Sequence, residues 1–166
     1  MNSTSNQHSP IYVLLHNIRS AHNVGSIFRT ADALAVSRIF ITGYTPTPFD
    51  RFGRPVKEIA KTALGAELSI PWEYAKKPDR FLRSMKDIRV EIVGIEQDDR
   101  ALNYKDYKEV NSEQGVLIVV GNEVRGMSKG LRGRCDTLVE IPMYGKKESL
   151  NVGVAFGVVL FRMFDR

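Results

Sequence analysis

The sequence predicts an α/β fold, a single domain with a mostly parallel sheet flanked by helices, and three observations support this. Apolar runs of strand length alternate with segments of helical spacing along the 166-residue chain, which is typical of α/β domains. The run Val116–Val120 holds five β-branched or leucine residues between two glycines, as expected for a central parallel strand covered on both faces. After Ser149 the chain stays apolar over several helical turns, so a buried terminal helix is expected.

The first half of the chain is predicted to hold two strands, two helices and a further short strand. Apolar residues from Ile27 onward have helical spacing, and Asn23 is expected to cap this helix. A loop with three prolines follows the second strand, and long loops of this kind are often functional. In order, the predicted elements are a strand at 11–15, a helix from residue 27, a strand at 38–42, the loop at 44–55, a helix at 56–64 closed by Gly65 and a strand at 68–70.

The second half alternates between strands and helices in the same way. Pro142 cannot donate to a sheet ladder, so the last strand is expected to stop before it. Ser149 is expected to cap the terminal helix, which shows no polar face and should be buried on all sides. In a chain of this size, such burial indicates a homodimer. The predicted elements are a helix at 79–86 behind Pro78, a strand at 89–95, the strand at 116–120, a helix at 128–134, a strand at 137–141 and the terminal helix.

Composition and charge restrict the classes of function. A formal net charge of +5 favours a polyanionic partner such as RNA. The single cysteine, Cys135, excludes an internal disulfide and fits a reducing cytoplasm. No apolar run approaches the ~20 residues of a membrane span, and the three histidines and the cysteine show no metal-ligand spacing. We therefore expect a cytoplasmic protein with no membrane or metal partner, a flexible arm at residues 1–10 and one domain at 11–166.

Three stretches that follow predicted strands are unusually polar or bear glycines: 23–32, 121–126, and 141–143 together with 149–151. In open parallel sheets, ligands bind beyond the carboxyl ends of the strands, where these stretches should lie. Neither a Walker A sequence nor GxGxxG occurs, so the common nucleotide-binding patterns do not apply. Taken singly, the residues of these stretches have ordinary interpretations as helix caps, turn glycines and solvated charges.

Together, the three stretches resemble the signature motifs of the SpoU/TrmH-like RNA ribose methyltransferases of the SPOUT superfamily. The matching residues are Asn23-x-Gly25-x-x-x-Arg29-Thr30-Ala31-Asp32, then Gly121-Asn122-Glu123 followed by Gly126, then Ile141-Pro142-Met143 with Ser149-Leu150-Asn151-Val152. The resemblance extends from residue 11 to the C-terminus and includes no appended substrate-recognition domain. It implies a C-terminal trefoil knot, S-adenosylmethionine bound in the knot, and a homodimer that builds each active site from both subunits.

The resemblance also implies roles for individual residues. Catalytic roles fall to Arg29, Asn23, Glu123, Ser149 and Asn151. Cofactor contacts, mostly through the main chain, fall to Ile95, Gly121, Asn122, Ile141, Met143, Ser149 and Leu150.

Basic residues near the predicted site are candidates for gripping RNA. They are Arg19, Arg29, Arg51, Arg54, Lys57 and Arg125. Phe49 and Phe52 are available for stacking on bases, and the alternative is that these two rings only pin the long loop to the core.

The expected reaction moves a methyl group from S-adenosylmethionine to a ribose 2′-hydroxyl, of tRNA rather than rRNA because the chain is small and shows no additional RNA domain. Arg29 hardly deprotonates in a protein. It would therefore either clamp the adjacent phosphate and stabilise the developing alkoxide, or hold a phosphate that itself accepts the proton. A catalytically silent RNA-binding module on the same fold is a second hypothesis, and a nucleotide-dependent α/β enzyme of another kind is a third.

Overall fold

Seven strands and six helices occur in residues 9–108 and 113–164, the part of the chain that the computed structural model describes. They are β1 Ile11–His16, α1 Ala21–Ala33, β2 Arg38–Thr42, α2 Lys57–Ala63, α3 Ala66–Ser69, β3 Trp72–Tyr74, α4 Pro78–Asp87, β4 Glu91–Ile95, β5 Leu102–Asn103, β6 Val116–Val120, α5 Lys129–Arg132, β7 Thr137–Glu140 and α6 Val152–Phe164. Of the predicted arm at residues 1–10, residues 1–8 lie outside the described part, so its flexibility stays a prediction.

The seven strands form one sheet in the order β3-β2-β1-β6-β4-β7-β5, and every pair is parallel. The predicted fold class is therefore confirmed. All five residues of β6 are buried, as expected for a central strand. Val120, its last residue, is paired with Leu15 on one side and Ile95 on the other. The carboxyl ends of β1, β6 and β4 therefore lie side by side at one edge of the sheet, which we call its carboxyl edge.

Helices cover both faces of this sheet. Val13 and Leu15 of β1 pack on the face covered by α1, α2 and α6, whereas Leu14 packs on the opposite face with α4 and α5, as the period of two in a strand requires. Gly153 and Gly157 of α6 lie against α1, where a Cβ on Gly153 would be 3.4 Å from the Cβ of Ser26. The missing side chains let these two helices approach closely, which positions the start of α6 beside the start of α1.

The predicted strand at residues 68–70 is wrong. These residues end α3, with Ile70 as its C-cap, and the strand β3 follows Pro71. A run of two or three apolar residues is too short for its periodicity to distinguish a strand from a helix. Leu68 in fact points outward and is 72% exposed.

Both predicted helix caps are also wrong. Ser20 caps α1 by accepting from the Asn23 N–H at 3.3 Å, so Asn23 lies within the first turn. Asn151, rather than Ser149, caps α6, because its Oδ1 accepts from the N–H groups of Gly153 and Val154 at 2.9 and 3.3 Å. Several residues near each helix start are good caps, and the tertiary contacts decide which one is used.

The terminal helix α6 is not buried on all sides within this chain. Phe156, Val159 and Leu160 are fully buried, but Val154, Val158 and Phe161 are 53%, 39% and 44% exposed. These three residues fall on one helical face, which we call the α6 face. The homodimer expected from this helix stays a prediction. Within the described residues, no helix is long and apolar enough to cross a membrane.

Candidate functional site

A pocket of about 300 Å³ opens at the carboxyl edge of the sheet, where β4, β6 and β7 end. Its walls come from the ends of these strands, from the loops that follow them and from the start of α6. All seven residues predicted to contact the cofactor line it: Ile95, Gly121, Asn122, Ile141, Met143, Ser149 and Leu150. The second and third sequence motifs therefore meet in one cavity.

The pocket lining has an apolar part and an acidic part. Ile95, Ile141, Met143, Leu150, Val152 and Ala155 supply the apolar surface, and Glu96, Glu123, Glu140 and Glu148 supply carboxylates. A cavity of this composition suits a ligand that combines an apolar ring with positive charge.

The loop after β6 is organised by the side chain of Asn122, which is 8% exposed. Its Oδ1 accepts from the N–H groups of Val124 and Arg125 at 3.0 and 2.7 Å. Its Nδ2 donates to the Asn17 carbonyl and to the Tyr44 hydroxyl, both at 3.0 Å. Because its amide is fully engaged, Asn122 can contact a ligand in the pocket only through its main chain.

Two glycines allow this loop to fold against β4. A Cβ on Gly121 would lie 2.6 Å from Cγ of Met127, and Gly126 has φ +63° with its missing Cβ directed at the Glu96 carboxylate. Glu96 in turn accepts from the Met127 N–H at 2.5 Å. Both glycines are therefore required by the shape of the pocket wall.

A hydrogen-bonded network joins the three sequence motifs beside the pocket. The Glu123 carboxylate accepts from Asn23 Nδ2 at 3.1 Å, and Asn23 Oδ1 accepts from Asn151 Nδ2 at 3.0 Å. The same carboxylate accepts from the main-chain N–H groups of Arg19 and Ser20, both at 2.9 Å. We call Glu123, Asn23 and Asn151 the polar triad. It holds the loop after β6, the start of α1 and the start of α6 together.

The environment of Glu123 keeps it ionised. Burial alone would raise the pKa of Glu123, but the N–H groups of Arg19 and Ser20 and the Asn23 amide all stabilise the carboxylate, and the net effect lowers its pKa. At neutral pH the Glu123 carboxylate is therefore ionised and accepts these hydrogen bonds, so it can hold the side chain of Asn23 in position.

The two remaining predicted catalytic residues lie outside the polar triad. Ser149 is exposed and lines the pocket. Arg29 is exposed on α1, six residues beyond Asn23 and therefore about 9 Å further along the helix axis. Arg29 does not line the pocket, and its side chain makes neither a hydrogen bond nor an ion pair with any described residue.

The predicted RNA-binding residues other than Arg29 lie in three places. Arg125 lines the pocket and Arg19 adjoins the polar triad. Arg51 and Arg54 lie at the tip of the loop at 44–55, where their guanidinium carbons are 4.7 and 5.1 Å from the centre of the Phe52 ring. Lys57 is exposed at the start of α2.

The two phenylalanines of this loop differ in their surroundings. Phe49 stacks on Trp72 with ring centres 6.4 Å apart and 19° between the planes, so it pins the loop to the core. Phe52 is 66% exposed. Only Phe52 is therefore available for stacking on a base.

Sequence reasoning missed Glu96, Gln97 and Tyr44. Glu96 and Gln97 directly follow a predicted strand, which is the signal that could have identified them. Gln97 Nε2 donates to the Glu148 carbonyl at 2.6 Å and ties the segment before α6 to the end of β4. Tyr44 accepts a hydrogen bond from Asn122 of the pocket wall, which is 78 residues away in sequence. Among the described residues, no group of three or more His, Cys, Asp or Glu side chains could hold a metal ion.

Comparison with known proteins places this geometry in a family. The model of the SpoU rRNA Methylase family matches residues 10–161, which confirms the resemblance read from the motifs. The 23S rRNA (guanosine-2′-O-)-methyltransferase RlmB of Neisseria meningitidis is 33% identical over 151 residues, which are 91% of this chain and 56% of that protein. The chain thus spans little more than half the length of the curated relatives it matches.

Solved structures share the fold. The AdoMet-bound rRNA methyltransferase from Sinorhizobium meliloti superposes with a TM-score of 0.81 at 31% identity, over 94% of this chain and 56% of that one. The TrmH/SpoU tRNA modifying enzyme of A. aeolicus gives a TM-score of 0.78 at 25% identity, over 93% of this chain and 73% of that one.

Proposed function

Because the chain belongs to the SpoU rRNA methylase family, we propose that it transfers a methyl group from S-adenosylmethionine to a ribose 2′-hydroxyl of RNA. The observation that carries this proposal is that the second and third motifs line one pocket and that the polar triad joins the first motif to its wall. Two relatives point the same way, since RlmB is a guanosine-2′-O-methyltransferase and the S. meliloti enzyme is an AdoMet-bound rRNA methyltransferase.

The residues of the pocket fit the proposed cofactor. Ile95, Ile141, Met143 and Leu150 can face the adenine, and the carboxylates of the lining suit a ligand with positive charge. When bound, S-adenosylmethionine would supply a methyl group already activated on a sulfonium. Asn122 and Gly121 would hold the ligand through main-chain groups, because the Asn122 amide is engaged within its own loop.

The chain itself has two tasks in this reaction, to align the ribose hydroxyl and to help remove its proton. Ser149, whose hydroxyl has no hydrogen bond among the described residues, can orient the ribose from the pocket wall. The polar triad fixes the side chain of Asn23 at the mouth of the site. Arg29 would bind the neighbouring phosphate, either stabilising the alkoxide or holding the phosphate that takes the proton.

We further propose that two copies of the chain pack through the α6 face. Val154, Val158 and Phe161 are large apolar residues exposed on one stripe of a helix, as expected for an interface. Such packing would allow Arg29, which lies away from its own chain's pocket, to act on the pocket of the partner.

The trefoil knot also stays a proposal. Gln97 binds the Glu148 carbonyl and Asn151 binds Asn23, so the segment between β7 and α6 is held both at the loop after β4 and at the start of α1. This arrangement supports a tail that passes through a preceding loop.

The proposed substrate is tRNA, with rRNA as the alternative, and the solved relatives include enzymes for both. Unmodified tRNA transcripts and rRNA should be incubated with the protein and methyl-labelled cofactor, digested to nucleosides and analysed by mass spectrometry. The proposal predicts 2′-O-methyl nucleosides from tRNA. Label in rRNA alone would support the alternative substrate, whereas methylated bases or RNA binding without any transfer would contradict the enzyme assignment.

A nucleotide-dependent enzyme of another kind makes a different prediction. S-adenosylmethionine, and not ATP, should raise the melting temperature of the protein, since only a ligand that binds the native state stabilises it. Stabilisation by ATP alone would favour the other class.

A further inference from the structure

A second hollow, of about 790 Å³, lies at the start of α4 and is separate from the cofactor pocket. Four exposed cations line it, Lys76, Lys77, Arg80 and Arg83, and we call them the basic groove. None of them belongs to the RNA-binding set predicted from the sequence. The basic groove therefore needs its own explanation.

The segment around the basic groove holds most of the net charge of the chain. Residues 76–89 contain six lysines and arginines and two aspartates, a net +4, whereas the whole chain has a formal net charge of +5. A concentration of one sign on a short segment produces a local field that attracts polyanions.

Two carboxylates, Asp79 and Asp87, line the same hollow, which leaves its lining with a net charge of +2, and among the described residues neither of them pairs with the four cations. Asp79 pairs with Arg134 at 2.8 Å, and Asp136 pairs with Lys86 at 2.8 Å. Among the described residues, the side chains of the basic groove make neither ion pairs nor hydrogen bonds. Four cations thus remain available for an external anion.

The basic groove starts on the same edge of the sheet as the pocket. β3 is parallel to the other strands, so Lys76 follows its carboxyl end by two residues. Three strand spacings separate β3 from β6, a distance of about 14 Å.

Contacts connect the two regions along that edge. Tyr74 donates its hydroxyl to the Gly43 carbonyl at 2.7 Å, and the neighbouring Tyr44 accepts from Asn122 in the pocket wall at 3.0 Å. A polymer lying on this edge would reach both the pocket and the basic groove.

We propose that the basic groove binds the phosphate backbone of the substrate RNA at nucleotides outside the modified one. The RNA then runs from the pocket, past Tyr44, to Lys76, Lys77 and Arg80. Phosphate contacts of this kind set the register of an RNA without reading its sequence. This inference rests on the proposed function. It adds a path for the RNA on the side of the sheet where β3 lies.

The test replaces Lys76, Lys77 and Arg80 by Gln in one variant. A matched control replaces Lys61, Lys105 and Lys108 by Gln, which removes the same charge from exposed sites outside the basic groove and the pocket. Binding of unmodified tRNA transcripts is measured at several salt concentrations, together with S-adenosylmethionine affinity and the KM and kcat of methyl transfer. Circular dichroism and melting temperature check that both variants fold.

The groove variant should bind RNA about tenfold more weakly or worse, and its salt slope should fall by about 2, since each lost phosphate contact of a single strand removes about 0.7. Its KM for RNA should rise while kcat and cofactor affinity stay at wild-type values. The control should behave as wild type. Unchanged RNA binding in the groove variant, or an equal loss in the control, would overturn the inference. If the wild-type protein bound RNA through the basic groove but transferred no methyl group, the inference would stand and the proposed function would fail.

Discussion

Asn151 donates its side-chain amide to Oδ1 of Asn23 at 3.0 Å, although 128 residues separate the two in the sequence. Asn23 donates in turn to Glu123, so each of the three motifs contributes one side chain to a single network. The same Asn151 caps α6 through its Oδ1. The residue that starts the terminal helix is therefore also the residue that fixes the amide of Asn23.

The two roles of Asn151 can be separated by substitution. Asn151→Ala removes both the cap and the bond to Asn23, so it should lower the free energy of unfolding by about 1 kcal/mol and also lower kcat. Asn151→Asp keeps the capping oxygen but loses the donor, so it should keep its stability and lose activity. Urea unfolding and methyl-transfer kinetics on both variants measure this. Equal activity of Asn151→Asp and wild type would show that the bond to Asn23 is unimportant.

Glu123 should make the free energy of unfolding of the protein depend on pH. Its pKa in the folded protein is lowered from the ordinary value of 4.5, so its contribution to stability is present above pH 4.5 and is lost as the pH falls through the folded pKa. Glu123→Gln should reduce the free energy of unfolding by about 2 kcal/mol at neutral pH, since hydrogen bonds to a charged group are lost. The difference between wild type and variant should shrink below pH 4.5. A difference that is independent of pH would contradict this.

Gly126 should not tolerate a side chain. Gly126→Ala requires a left-handed backbone at φ +63° and a Cβ against the Glu96 carboxylate, so it should destabilise the fold by about 1–3 kcal/mol. Gly145→Ala is the matched control, because nothing lies within 4 Å of its missing Cβ. Thermal unfolding compares the two. Equal melting temperatures would mean that the loop after β6 can adopt another shape.

Replacing Arg29 should lower the rate of methyl transfer and change the affinity for the cofactor little. Arg29→Lys keeps the charge but loses the planar fork that binds a phosphate with two hydrogen bonds, so kcat should fall strongly with cofactor affinity nearly intact. Normal turnover of this variant would rule out the clamp.

Mixing two inactive variants tests whether Arg29 acts on the partner's pocket. Arg29→Ala has an intact pocket, and Leu150→Asp has an intact Arg29. If the site combines both subunits, half of the dimers in an equal mixture are mixed and have one complete site each, which restores about a quarter of wild-type activity. No recovery after confirmed subunit exchange would place Arg29 in its own subunit's site.

The thiol of Cys135 should be inert. Burial, with a smaller effect of Asp136, raises its pKa to about 12, so the reactive thiolate is scarce at pH 8. A thiol reagent should label the folded protein slowly and the urea-unfolded protein rapidly. Rapid labelling of the folded protein would show that this region opens.

The sequence predicted the elements whose signal is local. Arg38–Thr42 and Val116–Val120 were placed correctly because they are continuous apolar runs between turn residues. The strand predicted at 89–95 begins in the structure at Glu91, two residues later than predicted. Arg89 has φ +63°, and the N–H of Val90 still donates to the carbonyl of Met85 in α4. Such a boundary depends on how one helix ends and is not visible in the apolar pattern.

In the candidate site, too, the sequence predicted the residues that belong to local motifs but not the contacts between residues distant in sequence. All seven residues predicted to contact the cofactor line the pocket, six of them from the second and third motifs and Ile95 from the end of β4. The polar triad and the contact of Tyr44 with Asn122 join residues that are 78 to 128 positions apart. No local pattern reports such contacts. Likewise, the basic residues around α4 can be read from the sequence. Only the structure shows that Asp79 pairs with Arg134 and so leaves Lys76, Lys77 and Arg80 without an ion pair to it.

Calorimetric titration of S-adenosylmethionine tests the central claim, that the pocket lined by the second and third motifs is its binding site. Leu150→Asp adds a charge to the pocket wall, and Leu68→Asp makes the same change at an exposed leucine outside it. Wild type and Leu68→Asp should bind one cofactor per chain with equal affinity, and Leu150→Asp should bind at least about tenfold more weakly. No binding to the folded wild-type protein, or equal binding by Leu150→Asp, would contradict the account.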